Sequence, residues 1–76
     1  MYTDQMRRAI HNLHKPVNIK IDILDNEDFL VIKIDEYDFM RLPEDEKRRT
    51  FEFVLKAKAA LESLGAIVLV VREAIN

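Results

Sequence analysis

His11 and His14 are the only histidines in a chain of 76 residues that contains no cysteine. At i,i+3 on a helix the two rings could share a metal ion, yet only Asp4 stands near them as a carboxylate. Asp35, Glu36 and Asp38, with Glu44, Asp45 and Glu46 close behind, could bind Mg²⁺ in the manner of some nucleases. Acids gathered at a helix start also complement the helix dipole with no ion present. Ser63, the only serine, has no base beside it, and the one glycine, Gly65, cannot make a phosphate-cradling loop. No catalytic residue, cofactor or metal is expected, and the chain reads as a non-enzyme.

Binding is the remaining chemistry, and charge is its guide. The net charge is −2, but it is segregated: residues 1–21 carry +3, residues 22–46 carry −8 and residues 47–76 carry +3. Such asymmetry bears on partners and encounter, not on fold. In a first reading the acidic segment docks on a basic surface of another protein. Asp35, Glu36, Asp38, Glu44, Asp45 and Glu46 would supply charge, and Tyr37 and Phe39 the anchors. In a second, nucleic acid is bound by Arg7, Arg8, His11, His14 and Lys15 on one helix and by Lys47, Arg48 and Arg49 on another. A pI near 5.6 and the lack of aromatic stacking positions among those bases weigh against it. A third reading is a purely structural, self-assembling subunit. Brevity without catalytic equipment suits a small accessory or regulatory protein, of the kind a phage or plasmid encodes.

These residues need elements to hold them. Leu42-Pro43-Glu44-Asp45-Glu46 has the proline and acids of a helix start, and Gly65 fits the left-handed position just past a helix end. Between them Phe53, Val54, Ala57, Ala60, Leu61 and Leu64 share one face at 100° per residue, the face that should lie on a sheet. Phe51, Leu55 and Ala59 form a second stripe on the flank of Lys58 and Glu62. That stripe is either covered by the N-terminal segment or left as a contact for a second chain.

Upstream, Met6, Ala9, Ile10 and Leu13 have helical spacing behind a Thr3 cap, and Pro16 ends that helix. Val17 to Ile23 alternates without a break, with Val17, Ile19, Ile21 and Ile23 on one face. Asp25-Asn26-Glu27-Asp28 is a polar turn, and Phe29 to Ile34 completes a hairpin with Leu30, Ile32 and Ile34 inward. Phe29 and Val31 then fall on the other face, which the N-terminal helix or a partner must cover. Residues 35–41 read as a connection, apolar enough at Tyr37, Phe39, Met40 and Leu42 to be pinned to the start of the long helix. Ile67 to Val71 is a strand apolar on both faces.

The expected fold is a single α+β domain over residues 1–76 in the order α-β-β-α-β. Its last strand should pair with the first, giving sheet order 2-1-3. The last strand is then an uncharged edge, a liability unless covered. Pairing two such edges across a twofold axis would give a homodimer through Ile67, Leu69, Val70 and Val71, with Phe51 and Leu55 beside them. A chain this short has a small core, which association would supplement. Without cysteines there is neither a disulfide frame nor a thiolate metal site. No apolar run is long enough for a membrane span and none follows Met1 as in a signal peptide, so a cytoplasmic protein, or one in a host's cytoplasm, is expected.

Overall fold

In the computed structural model, which describes residues 1–75, the chain forms α1 (Asp4–His11), β1 (Ile21–Asp25), β2 (Leu30–Asp35), α2 (Glu36–Arg41), α3 (Glu44–Ser63) and β3 (Val68–Glu73). The α1 helix starts where Thr3 accepts a hydrogen bond from the Met6 amide at 3.1 Å, with Asp4 in its first turn. The α3 helix buries Thr50, Phe53, Val54, Ala57 and Leu61, with Ala60 and Leu64 half-buried along the same stripe. Thr50 reaches this face because its hydroxyl donates to the Glu46 carbonyl at 2.9 Å and so carries no unsatisfied group inward. Gly65 closes the helix at φ +98°, a conformation that side chains rarely adopt. The Ala66 amide then returns to the Leu61 carbonyl.

The sheet order is β1-β2-β3, not 2-1-3. The hairpin forms as expected, with Ile21 opposite Ile34 and Ile23 opposite Ile32. The last strand, however, runs parallel to the second, setting Val68 beside Leu30 and Val70 beside Ile32. Two constraints that periodicity does not carry decide this. The Asp35 carboxylate accepts from the Ile75 amide at 2.9 Å, which ties the end of β3 to the end of β2. A helix leaving β2 also returns most directly to the strand next to it, making a plain βαβ unit. As the middle strand, β2 fully buries Leu30, Ile32 and Ile34.

Other expectations need correction. Residues 36–41 are a six-residue helix and not a connection, because Asp35 caps it by accepting from the Asp38 amide at 2.9 Å. Of the four apolar residues expected to pin this segment, Phe39 and Leu42 are buried, Phe39 against Phe51 of α3, whereas Tyr37 and Met40 are exposed. The first strand begins at Ile21; the chain bends over residues 17–19, leaving Val17 91% exposed while Ile19 stays buried. The last strand runs to Glu73, two residues further than the apolar run.

The N-terminal helix does not cover the second face of the sheet. It packs beside α3, where Met6 joins Phe53 and the inward isoleucines in one core, and Tyr2, Arg7 and Ile10 border Ile21, Ile23 and Phe53. Both helices therefore lie on one face, and the Cα framework measures only 15 Å along its shortest axis. On the bare face the register aligns Leu24, Val31 and Leu69 in an apolar row across all three strands. The Lys33–Glu73 ion pair at 2.8 Å lies alongside that row.

Candidate interaction surface

The acids proposed for docking are placed at one end of the sheet, around α2 and the start of α3, and each has work within the chain. Asp35 is 2% exposed and accepts from the amides of Ile75 and Asp38. Those two donors, the Ile75 amide foremost, hold its carboxyl below the ordinary aspartate value. Glu36 pairs with Arg72 at 3.0 Å. Asp38 accepts from the Lys20 amide and stands 3.9 Å from Arg41. Glu44 pairs with Lys47, Asp45 with Arg49, and Glu46 accepts from Asn18. Asp25, in the hairpin at the opposite end of the sheet, is also held low, first by the Tyr2 amide.

The two aromatic anchors are separated by this arrangement. Tyr37 projects from α2 into solvent, as does Met40, whereas Phe39 is buried. Phe39 meets Phe51 edge-on at 5.2 Å between centroids, and its ring takes the Arg72 guanidinium at 4.8 Å and the Lys47 ammonium at 5.7 Å. Phe39 is thus a packing residue that links α2, α3 and β3. Sequence reasoning missed α2 as a helix, although Asp35 three residues before Asp38 is a readable cap signal.

The basic residues fall into separate groups. Lys47 and Arg48 border a cleft with Phe39, Glu44 and Phe51, whereas Arg49 points to the other flank of α3, beside His14 and Lys15. Arg7 lies over the Tyr2 ring at 5.4 Å, by β1. Arg8 and His11 are exposed on α1. Among the described residues no three His, Asp or Glu side chains converge as a ligand set, and no helix is long and apolar enough to cross a membrane.

The self-association residues, by contrast, are brought together. In the sheet β3 is an edge strand, with β2 on one side and, among the described residues, no strand on the other. The Leu30 amide donates to the Ile67 carbonyl at 2.8 Å. Because residues of a parallel strand alternate in the side to which they turn both polar groups, Leu69, Val71 and Glu73 also face β2. The N–H and C=O groups of Val68, Val70 and Arg72 therefore face the open edge. Above that edge Phe51 and Leu55 are exposed on the flank of α3 away from α1, Leu55 by 65%; on the bare face Leu69 is exposed and Val71 half-buried. Ile67, 66% exposed, leads into the strand.

Of the two sources of cover considered for the Phe51–Leu55 stripe, the N-terminal segment is thus excluded, because it lies on the Phe53 side of α3. The unused signal in the sequence was the row Leu24, Val31, Leu69, which depends on strand order and could not be assembled before the order was known. No family model, curated protein or solved structure matches the chain.

Proposed function

We propose that this chain is a non-enzymatic protein-interaction module whose contact surface is the open edge of β3 with the Phe51–Leu55 flank of α3. The observation that carries this is the contrast between the two edges of the sheet. β1 contains Asp22 and Asp25, and the Met1 amino group and Tyr2 amide are bound at Asp25. From Ala66 to Val71 the other side has no charge and no proline, and among the described residues no strand lies against the edge of β3. Natural sheets block edges that are not meant to pair, and β3 has no such device over its central residues. Addition of a strand at this edge would satisfy its outward backbone groups, while alternate side chains gave selectivity.

Docking through the acidic segment ranks second. It is favoured by Tyr37 and Met40 standing exposed beside Glu36, Asp38 and Glu44, but its charge is largely offset by Arg41, Lys47, Arg49 and Arg72 within the chain. A cytoplasmic setting suits either mode.

Peptides selected by display on the immobilised protein test this directly. Strand-forming peptides that bind the wild type and lose at least about 100-fold in affinity on Val70→Lys support the edge. Peptides that ignore Val70→Lys but require Tyr37 overturn it in favour of the acidic segment. Tight duplex DNA binding abolished by joint Glu substitution of Arg7, Arg8, Lys47 and Arg48 would overturn both.

A further inference from the structure

We infer that the occupant of the β3 edge is a second copy of this chain, paired antiparallel across a twofold axis at Val70, so that two three-stranded sheets join into one. This rests on the proposed use of the edge and adds its partner and register. A lone peptide strand would pair with β3 but leave Phe51 and Leu55 exposed above it. A second copy supplies a strand and an apolar helix flank together.

The geometry of this pairing is self-consistent. A twofold axis normal to the sheet keeps both helix layers on one face. With Val70 opposite the second copy's Val70, the outward N–H and C=O groups of Val68, Val70 and Arg72 meet those of Arg72, Val70 and Val68. Every outward polar group of the strand is then paired. On the bare face Leu69 falls opposite Val71 and Glu73 opposite Ile67, and on the helix face Arg72 falls opposite Val68. No like charges oppose each other, whereas an axis at Arg72 would set two guanidiniums together.

The helices agree with the same register. Phe39 touches both Arg72 and Phe51, which sets the first half of α3 beside the end of β3, and α3 runs antiparallel to β3. Two strand residues span about 6.6 Å and four helix residues about 6 Å, so a step from Phe51 to Leu55 matches the step from Arg72 to Val70 and carries Leu55 toward the axis. Among the strands, α3 makes direct contact with β3. Two helices each set back about one strand spacing from the axis would lie about 10 Å apart, the distance at which helices pack through side chains of this size.

The absence of cysteine makes the test specific. Light scattering on the wild type across a concentration series should show the mass rising from 9.0 kDa to twice that value, and Val70→Lys should remain monomeric with an unchanged far-UV circular dichroism spectrum. Leu55→Glu, which leaves the strand untouched, should weaken the dimer by at least about 10-fold. In Val70→Cys the paired Cα atoms would be about 5.5 Å apart, within disulfide reach, and mild oxidation should give a covalent dimer. In Arg72→Cys they would be about 14 Å apart and should not cross-link.

A wild type that is monomeric at every concentration overturns the second-copy assignment, and edge-binding peptides would then still support the wider use of the edge. A dimer that Val70→Lys does not disturb also overturns the second-copy assignment, and the wider use of the edge falls with it only if edge-binding peptides too ignore Val70→Lys. A dimer cross-linked through Arg72→Cys but not Val70→Cys overturns the register.

Discussion

The order of the strands can be read from what two isoleucines cost when truncated. Ile23 of β1 and Ile32 of β2 are cross-strand partners on the same face. In the observed order Ile32 belongs to the middle strand and is fully buried, whereas Ile23 belongs to an edge and is half-buried. Removing three carbons from a sealed site loses both the transfer term and the cavity term, so Ile32→Ala should cost about 4 kcal/mol. At Ile23 much of the side chain already meets water, and Ile23→Ala should cost about 1–2 kcal/mol. A chain of this length has a total stability of about 4–11 kcal/mol, so Ile32→Ala brings it close to unfolding. The milder Ile32→Val, at about 1 kcal/mol, keeps the comparison measurable.

Urea unfolding followed by far-UV circular dichroism, at one fixed protein concentration, gives the midpoint and slope for each variant. An unchanged slope confirms that the difference lies in stability and not in the compactness of either state. A cost at Ile23 equal to or above that at Ile32 would refute the topology, since that is the result expected of a sheet with β1 in its middle.

Two further outcomes follow from particular residues. Gly65→Ala should cost about 1–2 kcal/mol by the same assay, and Gly65→Asn less. Nothing lies within 4 Å of a Cβ built at Gly65, so the cost is conformational and a neutral Ala variant would contradict the left-handed cap. The Asp35 carboxyl is lower in the folded than in the unfolded chain, so its contribution is complete above the unfolded value of about 3.9 and is lost as pH falls through the folded value. In thermal melts the difference between wild type and Asp35→Asn should therefore shrink below about pH 4, and a difference independent of pH would show that Asp35 does not act through its charge.

The existence of most elements was legible in the residues. Alternation over Ile21 to Ile34, the apolar stripe of α3 and the lone Gly65 are local signals, each carried by neighbours within a few positions. The same locality explains α2: its six residues are too few to show a period, and only the Asp35 cap marks it. Strand order was not legible, because β1 and β2 each offer one apolar face and either could lie in the middle. A contact between residues forty positions apart, the Ile75 amide on Asp35, favours one solution, and no periodicity encodes it.

The candidate surface divides in the same way. From the sequence alone, Ile67 to Val71 was an uncharged strand and Phe51 and Leu55 a stripe outside the main helical face, since those facts depend only on composition and spacing. That the stripe lies on the flank away from α1, above the same edge to which Val68, Val70 and Arg72 turn their backbone groups, was decided by tertiary structure. So was the engagement of the acids: a carboxylate run looks free in one dimension, and packing alone determines which amides and cations it meets.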